Sequence, residues 1–209
     1  MADRSAPSRV TTADGVDIEL AWSPAAEPRA AAVVTHPHPL MGGDMHNPVP
    51  AGVARGLAEV GVTAVRLSFR GAGGSSGEHG GGEAERADVA AAVDALVDAL
   101  PGVPVVGVGY SFGADVLLGT EHPALAGVVA VAPPLRVLPA DAMAALRGGV
   151  PTLVLTPAHD QFCSPEQARL VTSTWAMTAV EEVAGCDHFL AGGVQRVVDR
   201  VVRFVDDLA

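Results

Sequence analysis

Cysteine, basic side chains and long apolar runs are all scarce in this chain, and each scarcity removes a class of function. Two cysteines, Cys163 and Cys186, are too few for a disulfide scaffold or for a structural zinc site built on thiolates. A reducing cytoplasm is therefore the expected compartment. Thirteen basic residues stand against 24 acidic ones, for a formal net charge of −11. Nucleic acid and other polyanions need a concentrated Lys and Arg surface, so such partners are not expected. The longest apolar runs, such as 150–157, fall far short of the roughly 20 residues that span a bilayer as a helix, and no membrane association is expected. Residues 1–10 carry Arg4 and Arg9 without a following apolar core, so they do not read as a signal peptide. The Gly-rich stretch 72–82 lacks the Gly-Lys-Ser/Thr ending of a phosphate loop and is expected to be a flexible loop over the carboxyl edge of a sheet.

What is present is a chain of 209 residues, 49% hydrophobic and 18% charged. That length lets a chain remove roughly 70% of its unfolded surface from water, and one domain over 1–209 is expected. Short β-type runs at 16–21, 30–35, 62–69, 103–109, 127–131, 150–155 and 179–183 alternate with helical patterns. The alternation predicts an α/β fold with a mostly parallel central sheet and helices on both faces. The middle runs are nearly continuous Val and Ala, as in strands covered on both faces. Helices are expected from Asn47, where Asn caps and Pro48 suits the first turn, over 83–100, and at the end of the chain. There Val194, Val197, Val198, Val201, Val202, Val205 and Leu208 form one apolar stripe.

The strongest motif is Gly109-Tyr110-Ser111-Phe112-Gly113, which follows a strand and opens a helical pattern. Its glycines permit a sharp turn that lifts the serine hydroxyl clear, and the helix start favours developing negative charge. A serine hydroxyl is a weak nucleophile and needs a base held by a third group. Three histidines follow Ser111. His122 is expected about three turns along the helix that Ser111 opens, pointing away from the turn. His159 directly precedes a candidate acid. His188, in the loop Gly185-Cys186-Asp187-His188-Phe189, is left as the base. Asp160, at the end of a strand, fits the acid that orients it, in the order serine, acid, histidine. Its competitors are Asp141, set among helix formers, and Asp187, joined too closely to His188 to bend back onto its ring. The oxyanion needs two backbone N–H groups. Phe112 supplies one; in the loop His36-Pro37-His38-Pro39-Leu40 both prolines lack an N–H, leaving His38 or Leu40, with the His38 backbone favoured.

On these motifs, with His36-Pro37-His38-Pro39, Gly42-Gly43 and Phe69-Arg70-Gly71-Ala72-Gly73-Gly74-Ser75, the chain resembles the α/β-hydrolase superfamily. Within it, the chain is similar to the small capless hydrolases related to dienelactone hydrolase. The resemblance covers nearly the whole chain. It implies an Asp loop, a His loop, and hydrolysis of small carboxylic esters or thioesters without a cofactor. Dienelactone hydrolases themselves carry cysteine at the turn where this chain has Ser111. The stretch between residues 131 and 150, with Pro133, Pro134 and Pro139, leaves little for a lid, so an open, small site with no large cap domain is expected.

Two other classes are weighed against this one. His36, His38, Asp44 and His46 crowd one segment and would suit a metal-dependent hydrolase, although their spacing forms no compact ligand run. A non-catalytic binding protein on the same fold is the second, because fold alone never establishes activity. If Asp160 and His188 meet, Cys163 and Cys186 would lie on neighbouring loops and could approach disulfide reach.

Overall fold

The computed structural model describes residues 8–140, 142, 143 and 149–208. Among the described residues eight strands form one sheet: β1 (Ser8–Thr11), β2 (Asp17–Ser23), β3 (Ala30–Thr35), β4 (Val62–Leu67), β5 (Val105–Tyr110), β6 (Leu125–Val131), β7 (Thr152–His159) and β8 (Thr178–Asp187). Their order is β1-β2-β4-β3-β5-β6-β7-β8. The pairings β1 with β2 and β2 with β4 are antiparallel, and all the others are parallel. The described helices are α1 (Pro48–Glu59), α2 (Glu85–Ala99), α3 (Phe112–Leu118), α4 (Pro165–Val171) and α5 (Val194–Asp207), with a short 3-10 turn at Pro39–Met41.

The period-2 rule divides β3 between two cores. Ala31 and Val33 join the cluster under α2, α3 and α4, while Ala30, Ala32 and Val34 join the cluster under α1 and α5. Every β3 residue is buried, because helices cover both faces. The α5 stripe buries Val197, Val198, Val201 and Val205, each worth about 1.5 kcal/mol or more when fully removed from water. Asn47 caps α1 by accepting the Val49 N–H at 3.1 Å, with Pro48 in the first turn.

Several expectations need correction. Strand β1 and helix α4 had no counterpart in the sequence reading, although Ser164 and Gln167 spell a reciprocal capping box that starts α4. Helix α3 ends at Leu118, so His122 lies beyond it, where its Nε2 sits 3.1 Å from Asp94. The Gly-rich loop is tied down rather than loose. Its Ser76 N–H reaches Asp17 O at 2.8 Å, Gly74 N–H reaches Glu19 at 2.7 Å, and the Ser75 hydroxyl donates to Ser68 O at 2.6 Å. The buried Arg70 side chain joins it to the rest, donating to Asp88 from Nε and Nη2 at 2.9 and 2.7 Å and to Asp14 at 2.8 Å. The two cysteines are both buried and free, and they lie in the cores on opposite faces of the sheet. Asp141 falls outside the described residues. Among the described residues no helix is long and apolar enough to cross a membrane.

Candidate active site

Parallel strands deliver their following loops to one edge of the sheet, and the loops after β3, β5, β6, β7 and β8 converge there. The turn from β5 into α3 puts Ser111 at φ 54°, ψ −121°, a conformation that non-glycine residues rarely adopt. Its neighbours allow the packing this requires. A Cβ on Gly109 would lie 2.5 Å from Ala114 Cα, and one on Gly113 would lie 2.6 Å from His36 O. The turn is fixed to β6 by the Ser111 N–H, which donates to Val131 O at 2.9 Å.

Ser111 Oγ stands 2.9 Å from His188 Nε2, and His188 Nδ1 stands 2.8 Å from Asp160 Oδ2. A carboxylate only accepts, so Nδ1 carries the proton and Nε2 is left to accept from the serine hydroxyl. Both partners of the histidine are held from behind. Asp160 Oδ1 accepts the N–H groups of Phe162 at 2.8 Å and Cys163 at 3.2 Å. The Tyr110 hydroxyl donates to His188 O at 3.0 Å, which ties the last loop to the turn. Burial, with the nearby Asp160 and Asp187 carboxylates, pushes the Tyr110 phenol up to about 12, so it stays a donor. The rings of Phe162 and Phe189 flank His188 at 4.4 and 5.8 Å between centroids.

The rival acids and bases sit elsewhere. Asp187 is exposed and spends Oδ1 on the Phe189 N–H at 3.1 Å, shaping its own loop. His159 is exposed at the end of β7.

The loop after β3 is built around His36, which is fully buried. Its Nδ1 lies 2.6 Å from Pro37 O, and its Nε2 accepts the Phe69 N–H at 2.9 Å. Burial drives its pKa down to about 4, which keeps the ring neutral. His38 Nδ1 accepts the Leu40 N–H at 3.2 Å, and His38 O accepts from Met41 and Gly43. Of the two N–H groups that the prolines left open, that of Leu40 is therefore already given away. The His38 ring packs 4.9 Å from both His79 and Phe112. Burial and the neighbouring His79 lower its pKa. Asp44 Oδ1 takes the His46 N–H at 2.8 Å, and among the described residues no three His, Cys, Asp or Glu side chains are grouped as metal ligands.

The loop after β6 hangs on one carboxylate that the sequence reading missed. Buried Asp115, in the first turn of α3, accepts the N–H groups of Leu135, Arg136 and Val137 at 3.0, 2.8 and 2.9 Å. Burial raises its pKa to about 6 against those three donors. Its partners lie 20 or more residues away, so nothing local marked it. Together these loops enclose a pocket of about 390 Å³, in which Met41, Val137, Phe162 and Phe189 give apolar walls and Arg136 stands beside Phe162. A wider surface groove of about 540 Å³, near Arg55 and Arg66, lies away from Ser111.

The model of the hydrolase family described as serine aminopeptidase, S33, matches residues 26–148. The chain belongs to that family. With it comes membership of the α/β-hydrolase superfamily. The matched S33 segment contains Ser111 and ends before Asp160 and His188. The chain is 36% identical over 125 residues to uncharacterized protein RP471 of Rickettsia prowazekii (strain Madrid E), a match covering 58% of this chain. It spans about half, 52%, of that curated relative. An α/β serine hydrolase homologue from Coxiella burnetii superposes with a TM-score of 0.85 at 25% identity, covering 97% of each chain. XC6422 from Xanthomonas campestris, an α/β serine hydrolase without a lid, shares the fold with a TM-score of 0.84 at 24% identity, over 99% of this chain and 96% of that one. Est1E from Butyrivibrio proteoclasticus, solved with ferulic acid, also shares the fold, at a TM-score of 0.80 and 15% identity over 96% of this chain and 98% of that one.

Proposed function

We propose that this S33-family hydrolase cleaves small carboxylic esters or thioesters through an acyl-enzyme on Ser111, in a reducing cytoplasm. The unbroken line from Ser111 Oγ to His188 to Asp160, at 2.9 and 2.8 Å, is the observation that carries the reading. In the first half-reaction Ser111 Oγ forms a bond to the substrate carbonyl carbon and His188 Nε2 takes its proton. The carbonyl electrons collect on oxygen, which accepts from the backbone N–H groups of Phe112 and His38. When they return, the bond to the alcohol or thiol breaks and His188 gives that group the proton. Water then repeats the sequence on the acyl-serine, releasing the acid and free Ser111. Asp160 holds the imidazole in the required tautomer and stabilises its charged form.

The family's description names an aminopeptidase, a substrate class that presents an α-ammonium. Among the described residues no Asp or Glu lines the pocket, and its one charged wall residue is Arg136, a cation, which argues for esters over free peptide N-termini. The modest pocket volume supports short acyl groups of roughly two to six carbons, since an open site gains little of the about 0.8 kcal/mol available per buried methylene.

Kinetics of purified Ser111→Ala on p-nitrophenyl butyrate, with circular dichroism as a fold check, tests this reading. Turnover should fall by several orders of magnitude in a folded protein. Retained turnover would overturn the assignment. Loss of wild-type activity to a chelator, restored by zinc, would favour a metal site in the 36–46 segment.

A further inference from the structure

The apolar pocket beside Ser111 carries one charge whose role the hydrolysis step leaves open. The Arg136 guanidinium stands 5.5 Å from the centre of the Phe162 ring, and that ring stands 4.4 Å from the His188 ring. The cation and the proposed base thus both contact one aromatic side chain. Arg136 forms no ion pair among the described residues, whereas Arg29, Arg70, Arg86 and Arg200 each hold a carboxylate. Its position is fixed through the backbone. Asp115 accepts its N–H and those of both neighbours, and Phe162 supplies a face for the guanidinium.

The surroundings give that cation a purpose. The protein as a whole carries −11 and repels anions at long range, and no carboxylate among the described residues lines the pocket. A planar guanidinium with no ion pair among the described residues, beside a largely apolar cleft, matches a carboxylate better than any neutral group. Apolar walls from Met41, Val137 and Phe189 fit a short hydrocarbon or aryl body between that carboxylate and the scissile carbonyl.

We infer that Arg136 selects substrates that carry a carboxylate a short distance from the scissile ester, such as half-esters of small dicarboxylic acids. The inference rests on the ester-hydrolysis reading of Ser111. The carboxylate can sit on either side of the scissile bond, and matched pairs of esters separate the two sources. Methyl butanoate against monomethyl glutarate places the charge on the acyl side. Phenyl acetate against 4-acetoxybenzoate places it on the leaving group.

The readout is the ratio of kcat/KM for the anionic member to that for the neutral member, in wild type, Arg136→Gln, Arg136→Lys and the control Arg169→Gln, an exposed arginine that does not line the pocket. Wild type should favour the anionic member of at least one pair. Arg136→Gln should lower that ratio about tenfold or more, mainly through KM, as expected for losing a charge-assisted hydrogen bond. Arg136→Lys should restore part of it, and Arg169→Gln should leave it as in wild type. An equal ratio in wild type and Arg136→Gln for both pairs would overturn the inference while leaving ester hydrolysis standing. Failure of wild type to turn over any of the four esters would overturn the reading of the site and the inference with it.

Discussion

His36 and His188 are both buried at the carboxyl edge of the same sheet, yet their ring nitrogens meet different partners. His36 faces backbone on both sides, Pro37 O at Nδ1 and the Phe69 N–H at Nε2. A carbonyl can only accept and an amide N–H can only donate, so the tautomer is locked and the ring braces β3 against the end of β4. His188 faces side chains, Asp160 behind and the Ser111 hydroxyl in front. A hydroxyl both donates and accepts, and a carboxylate stabilises the positive charge that a second proton brings to the ring, so this imidazole can gain and return a proton in place. The same side chain at similar burial is a strut in one loop and, in the reading proposed above, a proton carrier in the other. The partners decide which.

The largest effect that sharpens this contrast lies behind His188. Asp160→Asn keeps the shape but offers an amide that can stabilise the wrong tautomer, and kcat should drop about 10⁴-fold, as such a change does in a comparable triad. Steady-state kinetics on an activated short-chain ester measures it. A near-normal kcat would break the contrast by removing the side-chain partner's role.

For His36 the effect should appear in stability. His36→Gln leaves the buried Phe69 N–H poorly paired, which costs about 1–3 kcal/mol in urea unfolding at neutral pH. The pH dependence carries a second signature. His36 titrates near 6.5 when unfolded and near 4 when folded, so its contribution is complete above about pH 6.5 and is lost as pH falls toward 4. Asp115, raised to about 6, acts in the opposite sense, adding stability at low pH that is lost as pH rises through 6. The difference between the wild-type and His36→Gln stability curves isolates the histidine. That difference should shrink on acidification between pH 6.5 and 4, and a constant offset would show that His36 does not stay neutral.

The smallest effect belongs to Asp187, next to the base in sequence but bonded to the Phe189 N–H. Asp187→Asn can keep that contact, and kcat should fall roughly tenfold or less, in line with a hydrogen bond worth about 1 kcal/mol. A collapse comparable to that of Asp160→Asn would mean that the wrong carboxylate serves His188.

The residues legible in the sequence were those whose surroundings are local. The Gly109 to Gly113 turn announces itself between a Val-rich strand and a helical pattern. Asn47-Pro48 marks the start of α1. The C-terminal stripe declares its buried face at helical spacing. Asp160 and His188 could be placed because each sits just past a strand, and in a parallel sheet such loops share one edge. What the sequence hid depends on contacts between distant segments. The pinning of the Gly-rich loop needs Asp17, Glu19 and Arg70 together. Asp115 acts on residues beyond β6, and Tyr110 reaches a carbonyl in the last loop. Cys163 and Cys186 flank residues that touch, yet Cys163, in the loop after β7, packs into one core and Cys186, on β8, into the other. Helix α4 was readable in principle, since its capping box is local, but seven residues give too few turns for a clear apolar period.

The central claim is that Ser111 is the attacking atom and His188 the group that activates it. Fluorophosphonate labelling of the native protein, followed by peptide mapping in wild type and His188→Ala, tests both halves at once. The account predicts a single covalent adduct on the peptide containing Ser111 in wild type, and labelling slowed by orders of magnitude in a folded His188→Ala. Labelling at another side chain, or an undiminished rate in His188→Ala, would contradict it.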